Sequence, residues 1–380
     1  MSSSSFTLRA VDTETAARTG TLHTAHGDVP TPIFMPVGTQ GTVKGCTPVQ
    51  LREAGTRILL GNTYHLHVRP GAELIRQRGG LHTFMQWPGP ILTDSGGFQI
   101  FSLAKTRRLT DDGVVFQSHL DGREIRLTPE DAIQVQSDLG SDVVMVLDEC
   151  PPYPSSEKAS REALERTVAW AGRCQEAARK HELAERGRHL FAIVQGAHYP
   201  EQRKECAQRL REMDFPGYAI GGVSVGEPEE EMLAQVGAAV PELPLDRPRY
   251  AMGLGTPPQI LRMIALGVDM FDCVMPTRLA RHGTIFTPEG LLNLKHERYA
   301  RDDTSLGEGV SGSPAAPFSR AYARHVLLAG EMIAATLLSL HNIHFFLALV
   351  SEARQQIRLG TFGSWSREWI ARYESGKGEG

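Results

Sequence analysis

Eight short apolar runs constrain this chain more than any other feature. They are PIFMPV (32–37), RILLGN (57–62), PILTDS (90–95), DVVMVLDE (142–149), HLFAIVQG (189–196), GYAIGGVSVG (217–226), RYAMGLG (249–255) and MFDCVMP (270–276). Most are aliphatic or β-branched, continuous rather than alternating, and end in Gly, Asn or Asp, the pattern of strands buried on both faces. Helix-like stretches lie between several of them, such as EKASREALERTVAWAGRCQEAARK (157–180) and PEQRKECAQRLREM (200–213). Eight strands with intervening helices predict an α/β fold, a (β/α)8 TIM barrel. A doubly wound open sheet is the alternative, but no G-x-G-x-x-G opens a helix. At 380 residues the chain reads as a single barrel domain, 1–380. Residues 1–31 read as an N-terminal β extension, and 110–130 as a β-hairpin insertion turning at Asp121-Gly122. Residues 305–317, SLGEGVSGSPAAP, are a small-residue loop rich in Gly and Pro.

The bulk numbers exclude several classes. The chain is 41% apolar and 22% charged, enough for a sizeable core. Its net charge of −4 means that a nucleic-acid partner would need a locally basic surface. The start, MSSSSFTLRAVD, lacks the basic segment and apolar core of a secretory signal, and no apolar run approaches the length of a membrane span. Five scattered cysteines (46, 150, 174, 206, 273) show no framework spacing and fit a reducing compartment. The expected location is cytoplasmic.

In a barrel, functional groups gather where strands end. Here the third strand ends in Asp94-Ser95-Gly96-Gly97, the fourth in Asp148-Glu149-Cys150 and the fifth in Gln195-Gly196. The sixth runs through Gly221-Gly222 to Gly226-Glu227, the seventh offers Met252 and Gly253, and the eighth Asp272. Each has a blander reading. Asp94 could form a turn, Gly221-Gly222 a bend, and Met252 could be core. GLGTPPQ (253–259) is explained without a ligand by Thr256 as N-cap and Pro257 at the first helical position. Cys150 and Cys273 read as small buried hydrophobes. The coincidence of acids ending three of eight strands exceeds what packing requires, because buried carboxylates are costly without a role or partner. Two facing carboxylates suit chemistry at a sugar carbon, one attacking or stabilising it while the other moves a proton. The remaining Asp and Gln suit a planar ligand, accepting from ring N–H and amino groups and donating to a carbonyl. Together they point to an N-glycosidic bond.

The motifs LGNTYHL (60–66), LTDSGGFQ (92–99), DECPPYP (148–154), VQG (194–196), GGVSVGE (221–227), MGLGTP (252–257) and MFDCVMPTRLARHG (270–283) resemble tRNA-guanine transglycosylase of the bacterial, queuosine-pathway type. The similarity is collinear over nearly the whole chain, ending with SRAY (319–322) and HN (341–342). The resemblance implies exchange of guanine at the anticodon wobble position of tRNA for a 7-deazaguanine base. Asp272 would be the nucleophile, holding the RNA covalently through the ribose, and Asp94 the general acid/base. Asp148, Gln195 and the backbone at Gly222 would read the purine edge, with the Val223–Ser224 peptide helped by Glu227 and with Ser95 also at the base. Phe98, where the family usually has Tyr, and Met252 would sandwich the ring. Cys150 and Val225 match the bacterial pattern, whose pocket takes 7-aminomethyl-7-deazaguanine; queuine-using relatives carry glycine at the Val225 position. Such exchange with retention needs two displacements on one face and no nucleotide cofactor.

Around the pocket mouth, Arg278, Arg281, Lys105 and Arg107 are candidate phosphate contacts for the tRNA. The family ordinarily carries a structural zinc, held by three cysteines and a histidine, and a homodimer. His341 matches the histidine, but the cysteine positions fall at Val310, Gly312 and Ala315. A closed zinc site takes four ligands, so the expectation is no metal and no cofactor, with 284–345 a degenerate zinc-type subdomain inserted near the C-terminus and His341 a packing residue. Other readings are a catalytically silent RNA-binding subunit or paralogue, a transglycosylase acting on queuine or on another nucleic acid such as DNA, and a carbohydrate hydrolase. Retention of both Asp94 and Asp272 argues against the first, and the base-reading set against the last.

Overall fold

Three antiparallel strands lead the chain into the fold: β1 (Phe6–Val11), β2 (Arg18–Thr24) and β3 (Gly27–Thr31). The barrel strands follow as β4 (Ile33–Gly38), β5 (Leu59–Gly61) and β6 (Ile91–Thr93). A separate antiparallel sheet of β7 (Arg107–Thr110), β8 (Gly113–Gln117) and β9 (Glu124–Leu127) then interrupts the series. The barrel resumes with β10 (Val143–Met145), β11 (His189–Val194), β12 (Gly217–Ile220), β13 (Arg249–Ala251) and β14 (Met270–Cys273), and β14 pairs with β4 to close it. A hairpin of β15 (Thr284–Thr287) and β16 (Gly290–Asn293) completes the strands. This computed structural model describes residues 5–97 and 107–376.

All eight apolar runs are barrel strands, parallel and buried. The fold is the (β/α)8 barrel. Register decides what the barrel presents at its rim. Val194 pairs with Ile220, Ile220 with Ala251 and Ala251 with Phe271. The residues that follow, Gln195, Gly221, Met252 and Asp272, therefore lie at one level of the rim. On the other side Gly61 pairs with Thr93, which brings Asn62 and Asp94 to the same rim.

The sequence suggested a hairpin at 110–130, whereas this region holds three strands beginning at Arg107. The extra strand, RRLT, has one apolar residue and no alternation to betray it. The C-terminal boundary expected at 345 falls inside a continuous helix, Met332–Leu359, whose buried face runs on through Phe346, Val350, Ala353 and Ile357. This helix also corrects the reading that no segment approaches a membrane span, because by length and composition it could cross one. Its most apolar window is 72% buried, and it packs on β4 and on the helix Met275–Arg281. Polar residues masked it in the sequence. One of them, Asn342, accepts from Phe286 N–H at 3.0 Å and donates to Pro276 O and Thr284 O, so it binds the β15–β16 hairpin to the barrel from within.

At the opposite end, Arg18 of β2 reaches Asp269, just ahead of β14. Its Nε and Nη2 donate to the two carboxylate oxygens at 3.1 and 2.5 Å, with both side chains fully buried. This bidentate pair fastens the N-terminal sheet to the barrel floor.

Candidate active site

A cavity of about 400 Å³ opens at the C-terminal rim of the barrel. Its lining includes Asp94, Ser95, Asp148, Cys150, Gln195, Gly222, Val223, Val225, Met252, Asp272 and Arg278. Strand register thus gathers residues spread over 185 positions into one small-molecule-sized pocket.

Asp272 and Cys273 face different ways, as alternation along β14 demands. Asp272 lines the cavity; the Cys273 Sγ instead accepts from Met275 N–H at 3.4 Å, and burial pushes its thiol up to about 12. The Asp272 carboxylate is held on one oxygen. Oδ1 accepts from Tyr250 Oη at 2.5 Å and from Gly253 N–H at 2.7 Å, which leaves Oδ2 for the cavity. Burial raises the Asp272 pKa, and the two hydrogen bonds oppose that rise by favouring the charged form. Asp94 is gripped from β5's exit: Thr63 N–H donates to Oδ1 at 2.8 Å and the Asn62 amide to Oδ2. The two acids therefore have fixed orientations before any ligand arrives.

Asp148, Gln195 and Gly222, the groups expected to read a base, form the pocket floor. Gln195 Nε2 donates to Asp148 Oδ2 at 2.6 Å, and Ser95 Oγ to Asp148 Oδ1 at 3.2 Å. Burial lifts Asp148 to about 6, against the pull of those hydrogen bonds. Gln195 Oε1 is buried without a partner among the described residues. Gly222 has φ +61°, and a Cβ there would lie 2.6 Å from Gln195 Oε1. Only glycine permits this approach, so Gly222 is more than a bend. Glu227 accepts from Ser224 N–H, and from Val225 N–H at 2.8 Å, fixing the loop beyond it. Cys150 lies against the same floor, its thiol pushed up to about 12 by burial and by the neighbouring carboxylates, which makes it inert. Thr256 is the N-cap of the helix Pro257–Ala265, so GLGTPPQ has a structural explanation.

Arg278 lies exposed at the cavity rim, and Arg281 is exposed one turn on, its Nε donating to Thr277 O at 3.2 Å. Phe98 and Lys105 lie outside the described residues, as does the side chain of Arg107. Three site residues escaped the sequence reading. Asn62 lies in LGNTYHL, where nothing in the pattern marks it as a partner of Asp94. Tyr250 lies two residues from Met252 and shares its face of β13, a signal that could have found it. Arg203 is a fully buried cation beneath Gly222.

A sequence profile of the family described as Queuine tRNA-ribosyltransferase matches residues 12–375. The chain belongs to this family. Relatives carrying the same description include proteins of Desulforudis audaxviator, 50% identical over 96% of this chain and 97% of theirs, and Natranaerobius thermophilus, 47% identical over 98% and 99%. That of Symbiobacterium thermophilum is 48% identical over 97% of this chain and 91% of its own. The chain is thus an enzyme of the transferase class, a pentosyltransferase.

The residues at the family's zinc position do not fit a metal. Val310 and Ala315 are buried apolar side chains, and Gly312 offers no ligand atom. His341 has both ring nitrogens engaged: Nε2 with Phe286 O at 2.8 Å and Nδ1 with Ser313 Oγ at 3.2 Å. A carbonyl only accepts, so Nε2 carries the proton and Nδ1 accepts from the serine. Burial pushes the His341 pKa down to about 4, which keeps the ring neutral.

Proposed function

We propose that this enzyme is a tRNA-guanine transglycosylase that replaces guanine at the anticodon wobble position with 7-aminomethyl-7-deazaguanine. The observation that carries the reading is the pairing of Asp272 and Asp94, each held by fixed donors, in one cavity whose floor is Asp148, Gln195 and the Gly222 backbone. Asp272 Oδ2 attacks the ribose anomeric carbon, the bond from that carbon to the purine nitrogen breaks, and Asp94 delivers a proton to the leaving base. The incoming base then loses a proton to Asp94 and displaces Asp272 from the face that guanine left, so two inversions retain the configuration. The target base leaves its stack most easily in a single-stranded loop. Arg278 and Arg281 supply local positive charge for its phosphates on a chain whose net charge is −4. Val225 narrows the pocket toward the aminomethyl base rather than queuine. We also assign no zinc to this chain, a cytoplasmic location, and the family's homodimer.

The test is incubation with tRNA and a pocket-binding base, followed by denaturing electrophoresis. Wild type should give a shifted protein–RNA band that Asp272→Asn abolishes. Neither band nor labelled-guanine exchange from wild type would favour the silent-subunit reading. Better incorporation of queuine than of the aminomethyl base in competition would reject the base assignment.

A further inference from the structure

The floor of the pocket rests on a buried charge. Arg203, on the helix Pro200–Glu212, is fully buried and points under the ends of β11 and β12. All five of its N–H groups are used, and every acceptor is neutral. Nε donates to Ala197 O at 2.8 Å. Nη1 donates to Val194 O and Gly221 O at 3.4 and 2.6 Å. Nη2 donates to Gly222 O and to Gln235 Oε1, both at 2.9 Å. It makes no ion pair among the described residues. A buried cation without a carboxylate is costly, and replacing it with apolar side chains is often the more stable choice.

Its geometry has a consequence above it. In a trans peptide the N–H points opposite to the carbonyl. Arg203 holds the carbonyls of Gly221 and Gly222 downward, so the N–H groups of Gly222 and Val223 point away from it. Both residues line the cavity, and neither N–H has a partner among the described residues. Two adjacent free donors in a pocket form a site for a carbonyl oxygen that gains negative charge. A cation bonded to the far end of each peptide polarises its N–H and strengthens it as a donor.

We propose that Arg203 is a positioning and polarising residue for departure of the base. Its charge, relayed through the Gly221–Gly222 and Gly222–Val223 peptides, stabilises the purine carbonyl oxygen as the glycosidic bond breaks. The inference rests on the reading that this floor binds the purine edge. As Asp272 forms its bond to the anomeric carbon, the electron pair of the bond to the purine nitrogen flows into the ring and onto the carbonyl oxygen. The two N–H groups hold that charge until Asp94 protonates the ring nitrogen.

Gln235→Glu tests this with little change of shape. It puts a carboxylate on the Nη2 hydrogen bond and neutralises the charge from below, 12 residues along the chain from the nearer N–H in question. Guanine is compared with 2-aminopurine, which lacks the carbonyl oxygen, as a competitor in labelled-guanine exchange. In wild type guanine should bind better. In Gln235→Glu that preference should shrink about tenfold and kcat should fall about tenfold, with the melting temperature retained. Arg203→Lys, which reaches fewer carbonyls, is the second variant and should shift the preference in the same direction. An unchanged preference in a folded variant, or equal weakening of both bases, overturns the role of Arg203. Absence of any guanine preference in wild type would instead overturn the base-reading floor itself.

Discussion

Asp148 shows how one buried carboxylate sets stability and binding in opposition. Burial lifts it to about 6, well above the ordinary aspartate value near 4. A carboxyl raised on folding contributes stability that is intact below about 4 and lost as pH rises through about 6. At pH 7.5 the enzyme therefore carries a buried anion costing about 3 kcal/mol. Asp148→Asn should match wild type in melting temperature near pH 4 and exceed it by a few degrees at pH 7.5, as thermal scans across that range would read. Base affinity should respond with the opposite sign, since only the carboxylate accepts two N–H groups. The wild-type KM for the base should rise as pH falls below about 6, and that dependence should vanish in the Asn variant. Equal melting temperatures at pH 7.5 would refute the buried-anion account. Asp148 was legible in the sequence because it ends an apolar strand. Arg203 was not. It lies in RKECAQRLRE, where nothing in the pattern separates the one fully buried cation from half-buried Arg209 and exposed Arg211.

Elements were legible where burial is complete and obscure where it is partial. All eight barrel strands could be read because a strand covered on both faces is continuously apolar. The strand Arg107–Thr110 could not, having only Leu109 to mark it. Residues 305–319 are a third case, an element whose sequence reads as a defect. The segment keeps its course by turns, with Leu306 N–H bonded to Phe318 O at 2.7 Å and Ser305 Oγ to Ala316 O at 2.8 Å. Leu306 and Ala315 pack into the same small apolar cluster, and Ser313 joins His341. Of the four positions that a closed zinc site needs, only His341 carries a ligand atom, and both its ring nitrogens are engaged. Metal analysis of the purified enzyme should therefore find no stoichiometric zinc, and chelator should leave its melting temperature unchanged. His341→Ala should cost roughly 2–4 kcal/mol, because it opens a cavity and strands the Phe286 carbonyl. A melting temperature lowered by chelator would refute the metal-free assignment.

At the scale of the whole molecule the two ends of the barrel do different work. The C-terminal rim carries Asp94, Asp272 and the pocket floor, whereas the N-terminal end is closed by the β1–β3 sheet. The Arg18–Asp269 pair is one fastening there, and Asp269 Oδ2 also accepts from Arg249 N–H at 2.7 Å. The remaining Arg18 donors go to Leu245 O and Arg247 O, both at 2.7 Å, so its guanidinium is satisfied only in the assembled state. Removing one member of a buried pair leaves the other uncompensated and costs about 3–5 kcal/mol, whereas removing both costs less. Asp269→Asn should accordingly lower the melting temperature sharply and expose residues 6–31 to limited proteolysis. Adding Arg18→Met should recover part of the loss. Since the pair lies at the far end of the strands from Asp94 and Asp272, kcat per folded molecule should stay at the wild-type value in both variants. A fall in kcat at temperatures where Asp269→Asn is fully folded would mean that the floor of the barrel transmits strain to its rim.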